Sequence, residues 1–228
     1  MKEPAIVLMS GGMDSTVCAS WAIDQGFEVC ALHVHYGQKT EKREGKAFQD
    51  ICSKLQIQHI LDIDISHLAA IGGSSLTDDS IAISKADLLN TEIPSSYVPF
   101  RNANLLSIAV SWAEVIGAHT IIIGAVEEDG SGYPDCRKVF FDAFEAMIQV
   151  GTKPGSHITI QTPLIAMDKA EIVKMGMTLD APLELTWSCY SGSEKACGVC
   201  DSCALRLRGF AKAGYEDPIE YEQRPNYS

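Results

Sequence analysis

No apolar run in this 228-residue chain approaches the ~20 residues that a membrane span requires, so no membrane partner is expected. Basic residues are scarce: 18 Lys and Arg stand against 30 Asp and Glu, giving a formal net charge of −12 with no basic cluster. Nucleic-acid binding depends on a face that neutralises phosphates, so no nucleic-acid partner is expected either. The richest basic stretches, 39–46 and 206–212, are short and mixed with acidic or apolar residues, and they read as solvated helix faces. Neither G-x-x-x-x-G-K-[ST] nor G-x-G-x-x-G occurs at the N-terminal glycines, which removes a P-loop lysine reaching for a γ-phosphate. The opening Met1-Lys2-Glu3-Pro4 lacks a signal-peptide layout, so a cytoplasmic protein is expected. Thiols stay reduced there, and eight cysteines then suggest metal or catalysis before disulfides. There is no internal repeat and no low-complexity segment. No Ser/His/Asp or Cys/His arrangement stands out, and His33 and His35, without a visible carboxylate partner, receive no catalytic role.

What the chain does have begins at residue 5. The apolar run Ala5-Ile6-Val7-Leu8-Met9 leads into Ser10-Gly11-Gly12-Met13-Asp14-Ser15 and then into a helical pattern. A strand, a glycine turn and a helix start place free backbone N–H groups and the positive end of a helix dipole above the strand end. That arrangement suits phosphate. The glycines let the backbone approach a ligand closely. Ser10 and Ser15 add hydroxyl donors, and Asp14 either holds Mg²⁺ through oxygen or caps the helix.

The rest alternates in the same way. Strand-like runs cover 5–9, 27–35, 58–64, 120–124 and 158–162, and helical patterns cover 14–25, 40–55 and 102–116. A further helix capped by Asp168 runs to 175. This rhythm predicts an α/β fold, a doubly wound, mostly parallel sheet with its ligand crevice at the carboxyl ends of the strands. Residues 72–99, rich in Gly, Ser and Asp, interrupt it as a long loop or lid. The expected division is a nucleotide-binding α/β region, 1–162, and a small C-terminal helical region, 163–228, packed on the same domain.

The second strong pattern is Cys189-x7-Cys197-x2-Cys200-x2-Cys203. Two-residue spacers let neighbouring thiolates converge on one ion, and four sulfurs close a tetrahedral shell, so one structural Zn²⁺ is expected. An iron–sulfur cluster is the rival, since similar spacings serve clusters. Cys18, Cys30, Cys52 and Cys136 are scattered through apolar segments and read as core thiols.

The phosphate loop resembles that of the PP-loop ATP-pyrophosphatase superfamily, whose members split ATP between the α- and β-phosphates. Four further strings follow in order: His35-Tyr36-Gly37-Gln38; Val98-Pro99-Phe100-Arg101-Asn102; Asp129-Gly130-Ser131-Gly132-Tyr133-Pro134-Asp135-Cys136-Arg137; and Leu183-Glu184-Leu185-Thr186-Trp187-Ser188-Cys189-Tyr190. With these the chain is similar, over nearly its whole length, to the 7-cyano-7-deazaguanine synthase family of queuosine-precursor biosynthesis. The resemblance implies an ATP-dependent carbon–nitrogen ligase that adenylates a 7-carboxy-7-deazaguanine, forms the amide with ammonia and then the nitrile, releasing AMP. It implies ATP with Mg²⁺, one structural zinc, free ammonia as nitrogen donor and a homodimer. The nucleotide segment would be Leu8, Met9, Ser10, Gly11, Gly12, Met13, Asp14, Ser15, Thr16, Val17 and Cys18, of which Val17 and Cys18 pack the helix base. Arg101 and Asp135 carry the catalytic expectation, and Asn102, Asp129, Tyr133 and Arg137 the substrate contacts. Trp187 is expected to pack rather than stack on a base. Phe100, where relatives often have a smaller residue, and the acidic segment at Glu127 depart from the family pattern. Two other readings are another adenylating PP-loop enzyme, acting on tRNA by sulfur transfer or amidation, and a non-catalytic ATP-binding regulator.

Overall fold

The computed structural model describes residues 2–88, 92–127, 132–192 and 194–227. Its centre is a five-stranded sheet with strand order β3-β2-β1-β4-β5, every pair parallel. The strands are β1 (Pro4–Leu8), β2 (Glu28–His35), β3 (His59–Asp64), β4 (Thr120–Ile122) and β5 (Thr159–Gln161). All five fall within two residues of the runs expected from hydrophobic patterning, and the doubly wound α/β class is the one observed.

Strand side chains alternate between two faces, and each face is roofed by helices. Ala5, Val7, Met9, Val29 and Ala31 pack on one side with Val17 and Ala19 of α1 (Met13–Asp24), Phe48 and Ile51 of α2 (Glu41–Lys54), and Ile172 and Val173 of α6 (Lys169–Thr178). Ile6, Leu8, Cys30, Leu32 and Val34 pack on the other with Leu106 and Ala109 of α4 (Arg101–Ile116) and Phe141, Phe144 and Ile148 of α5 (Lys138–Gly151). Ile6, Ile121 and Leu106 are fully buried, each contributing about 1.5–3 kcal/mol. A short α3 (His67–Ile71) follows β3. Among the described residues, 72–88 and 92–99 hold no helix or strand, as the loop reading expects.

The helix starts follow local chemistry. Asp168 accepts from the Glu171 amide at 2.8 Å while Glu171 reaches back to the Asp168 amide, a capping box that opens α6. Helix α5 lacks a cap of its own; Glu127 Oε2 accepts the Lys138 N–H at 2.9 Å, which gives that acidic residue a structural task. The spacing Phe141, Phe144, Ile148 is the amphipathic signal of α5, a helix not anticipated from the sequence above.

Helix α7 (Asp201–Ala213) packs on α6, with Gly209 so close to Lys169 that a Cβ would sit 2.6 Å from the Lys169 Cβ. One member of this helix corrects the expectation of a solvated basic face over 206–212. Arg206 is 1% exposed, and its Nε and Nη2 donate to Asp217 Oδ2 and Oδ1 at 2.7 and 2.9 Å. Its Nη1 donates to Thr186 Oγ1 at 2.6 Å, and Nη2 also donates to Leu183 O at 3.1 Å. A single basic residue in an apolar stretch is thus the buried tie between α7 and the Leu183–Leu185 turn.

Candidate active site

The strand order turns back between β1 and β4, and the loop after β1 lies at that switch point, where open α/β sheets bind ligands. Gly11 takes φ +83°, and a Cβ there would meet Glu44 O at 2.6 Å, so only glycine lets the loop pack against α2. Gly12 is the N-cap of α1, and the first intrahelical amide bond runs from Thr16 to Gly12 O. The N–H groups of Met13, Asp14 and Ser15 therefore have no acceptor within the helix. Ser10 Oγ accepts from the Gly12 amide at 3.2 Å and lies 3.3 Å from Ser15 Oγ. Asp14 is the second helical residue rather than the cap. Its Oδ2 accepts from Lys169 Nζ at 2.8 Å, and its Oδ1 is buried without a partner among the described residues.

A cavity of about 290 Å³ opens above this loop. Leu8, Met9, Ser10, Gly12, Met13, Asp14 and Ser15 form its floor, and Tyr36, Gln38, Glu44, Arg101, Asn102, Tyr133, Cys136, Lys169, Trp187 and Tyr190 its walls. Gly11, Thr16, Val17 and Cys18 stand behind the lining; Val17 and Cys18 are fully buried, packing the base of α1. Four polar atoms of cavity-lining residues, Asp14 Oδ1, His33 Nε2, Arg101 Nε and Trp187 Nε1, are buried with no hydrogen-bond partner among the described residues. Buried polar groups are nearly always paired, so four such atoms around one cavity mark a site built for a polar ligand.

Arg101 opens α4, and its Nη1 donates to Tyr36 Oη at 3.3 Å. Burial pushes the Tyr36 hydroxyl up to about 12, so this contact stays neutral on the tyrosine side. Burial also raises the pKa of Glu44, whose carboxylate accepts from Gln38 Nε2 and Thr40 Oγ1. These wall residues around His35-Tyr36-Gly37-Gln38 received no individual role from sequence, although the string itself was the available signal.

Asp135 stands differently. It is buried but does not line the cavity; Oδ2 accepts the Asn102 N–H at 2.9 Å, while Asn102 Nδ2 donates to Asp135 O at 2.8 Å and Cys136 Sγ at 3.3 Å. The reciprocal pair joins the Pro134–Cys136 turn to the start of α4, whose N-cap, Phe100, has φ +56° and no side-chain cap bond. Phe100 itself is exposed and packs edge-on against Phe140, outside the cavity lining. Tyr133 Oη lies 2.8 Å from Ser96 Oγ at the cavity wall. Arg137 is exposed, turned back on Pro134 O at 3.2 Å, and does not line the cavity. Asp129 lies outside the described residues. Trp187 is buried, with the Arg43 guanidinium 4.3 Å from its ring centroid.

The four clustered cysteines converge as their spacing implies. One Sγ from each of Cys189, Cys197, Cys200 and Cys203 lies within 4.8 Å of the others, and Cys200 and Cys203 sit at the start of α7. The amides of Gly192, Cys197 and Val199 point at sulfur: the first two to Cys189 Sγ at 3.1 and 3.3 Å, the last to Cys197 Sγ at 3.4 Å. Such N–H groups stabilise thiolates, so the donor set fits a metal with four sulfur ligands. Cys52 and Cys136 stand outside this cluster, and burial pushes the Cys136 thiol up to about 11 and Cys52 to about 12.

With this geometry in place, comparison with known proteins is decisive. The family model described as queuosine biosynthesis protein QueC matches residues 4–214. The chain belongs to that family. Among its curated relatives, 7-cyano-7-deazaguanine synthase of Chlorobium phaeobacteroides is 64% identical over 223 residues, covering 98% of this chain and 99% of the relative. The protein of the same name from Chlorobaculum tepidum is 61% identical over 223 residues, covering 98% of each. Among solved structures, a 4-thiouridine synthetase in complex with RNA and bound ATP superposes with a TM-score of 0.52 at 16% identity, covering 96% of this chain and 47% of that one. That likeness concerns the fold. Among the described residues no helix is long and apolar enough to cross a membrane.

Proposed function

We propose that this protein is an ATP-dependent ligase that converts 7-carboxy-7-deazaguanine and ammonia to 7-cyano-7-deazaguanine, with an amide intermediate and AMP as by-product. The observation that carries this reading is the cavity at the switch point, where a helix N-terminus, the Arg101 Nε and the Asp14 Oδ1 converge unpaired. Full-length relatives named 7-cyano-7-deazaguanine synthase supply the substrate.

A carboxylate is a poor electrophile. Attack of its oxygen on the α-phosphorus of ATP expels pyrophosphate and leaves an acyl adenylate; ammonia then displaces AMP to give the amide. A second ATP adenylates the amide oxygen, and loss of two protons from nitrogen with departure of AMP forms the nitrile. The chain supplies positioning and charge stabilisation for these steps. The Met13, Asp14 and Ser15 amides with Ser10 and Ser15 hydroxyls hold phosphate oxygens, and Arg101 holds the phosphate or substrate carboxylate. Tyr133 and Asn102 border the substrate. Asp135 acts as a positioning residue, fixing the helix start that carries Arg101. Mg²⁺ held through Asp14 Oδ1 would neutralise phosphate charge, and Zn²⁺ in the four-cysteine shell would brace the Trp187 segment against α7. The C-terminal region 163–228 works as a packed extension of the nucleotide-binding region 1–162. The homodimer belongs to the same reading: Val139, Met147 and Val150 form an exposed apolar stripe along α5 that suits a second copy.

Mass-spectrometric detection of the nitrile from the carboxy-deazaguanine, ATP, Mg²⁺ and an ammonium salt tests the reading. AMP and pyrophosphate release should depend on both the acid and ammonia. ATP binding without turnover would instead favour a regulator.

A further inference from the structure

His33 and His35 stand two residues apart on β2 and therefore on one face of the sheet, and the parallel register sets Asp62 of β3 beside His33. The two rings meet edge-on, 4.6 Å between centroids, with Phe48 of α2 stacked on His33. Each imidazole is held by one nitrogen. His33 Nδ1 lies 2.7 Å from Met9 O, so it carries the proton and donates, which leaves the lone pair on Nε2. His35 Nε2 lies 2.8 Å from Asp62 Oδ1. Among the described residues, the other nitrogen of each ring, His33 Nε2 and His35 Nδ1, is buried without a hydrogen-bond partner. His33 as a whole is 1% exposed.

Two buried lone nitrogens in adjacent rings are costly unless something binds them. The space over them is kept open by Gly45 of α2, where an ideal Cβ would sit 3.4 Å from His35 Cε1 and 4.0 Å from His33 Nε2. One donor atom from each of His33, His35 and Asp62 lies within 4.8 Å of the others, with Asp62 Oδ1 meeting His35 at Nε2, a grouping close enough to converge on one ion with bonds of about 2.0–2.2 Å. Glu41 Oε1, 3.7 Å from His35 Nδ1, is a fourth oxygen at the rim. The Asp62 and Glu41 side chains are 40% and 41% exposed, which opens a path from solvent.

We propose that His33, His35 and Asp62 form a second metal site, separate from the four-cysteine cluster, for a divalent first-row transition ion. Imidazole nitrogens with one carboxylate select Zn²⁺, Co²⁺ or Ni²⁺ over the hard ions Mg²⁺ and Ca²⁺. The Met9 carbonyl that orients His33 is the oriented outer contact typical of metal-binding histidines. Burial also lowers the pKa of His33, keeping the neutral ring that ligation requires. A bound ion would tie β2 to β3 and steady Met9, the residue before the phosphate loop.

The test is equilibrium dialysis of the purified holoprotein against Ni²⁺, with zinc, iron and nickel counted per chain by mass spectrometry. Wild type should gain one nickel per chain with its resident cysteine-bound metal unchanged. His35→Gln and Asp62→Asn should each weaken that binding at least tenfold, while His59→Gln, a β3 histidine outside the trio, should bind as wild type does. Asp62 is half-exposed, so Asp62→Asn remains informative should His35→Gln fold poorly. Failure of wild type to gain nickel, or equal binding by wild type and Asp62→Asn, overturns the proposal.

Discussion

Replacing Arg206 by methionine perturbs the most heavily bonded buried charge described in this fold. Four hydrogen bonds leave its guanidinium, two of them to the Asp217 carboxylate, whose side chain is 1% exposed. Without the arginine, Asp217 keeps the Tyr221 hydroxyl at 2.7 Å and the Ile219 amide at 3.2 Å but no cation. Breaking a buried pair by removing one partner costs about 3–5 kcal/mol, because the remaining charge stays desolvated. For a chain of this size, melting falls roughly 2–4 °C per kcal/mol, so a drop on the order of 6–20 °C is expected. Asp217→Leu should cost a similar amount. The double variant should recover much of the loss, since Thr186 Oγ1 keeps its hydrogen bond to Leu183 O at 2.7 Å, but it should stay short of wild type because the Tyr221 hydroxyl and the Ile219 amide lose their Asp217 acceptor at about 1–3 kcal/mol each. Urea unfolding of the four proteins at equal metal occupancy measures the coupling. Single effects that simply add, to within about 0.5 kcal/mol, would refute the buried-pair account.

Four further outcomes follow from the site. Gly12→Val should abolish ATP binding with the melting temperature unchanged, whereas Gly11→Ala should destabilise the fold, because its Cβ meets Glu44 O at 2.6 Å; calorimetry and melting of both separate ligand approach from packing. Arg101→Ala should lower kcat/KM by roughly one to two decades, the worth of a charge-assisted contact of about 1.5–3 kcal/mol, with melting nearly unchanged. Asp135→Asn should lower both activity and melting, since it weakens the cap on Asn102; wild-type melting in that variant would return Asp135 to a purely chemical role. Cys197→Ala should lose bound metal and melt lower, while Cys52→Ala, a buried thiol outside the cluster, should keep its metal; equal metal content in the two would remove the cluster from consideration.

Local patterning alone determined the strand and helix rhythm, the phosphate loop and the four-cysteine cluster, because each depends on residues close in sequence. The apolar runs at β1, β2 and β4 become buried parallel strands because helices cover both faces. At the sheet edges β3, expected to be buried as well, and β5 stay partly exposed. Ser10 to Ser15 needs only the strand before it and the helix after it. Cys197, Cys200 and Cys203 span one knuckle and one helix turn. The family strings added the neighbours of the site without saying what each side chain touches. Tertiary structure decided the rest, since those contacts join residues far apart in the chain. Lys169 reaches Asp14 across 155 residues and pairs with Oδ2, which leaves Oδ1 alone facing the cavity. Asp135 closes on Asn102 across 33 residues, and Arg206 finds Asp217 inside the core. His33 and His35 looked unpartnered in sequence because Asp62 is brought to them only by the β2–β3 register. A charged or polar side chain declares its burial and partner only after the sheet and its helices have closed around it, since the cost of desolvation depends on the whole neighbourhood rather than on the local string.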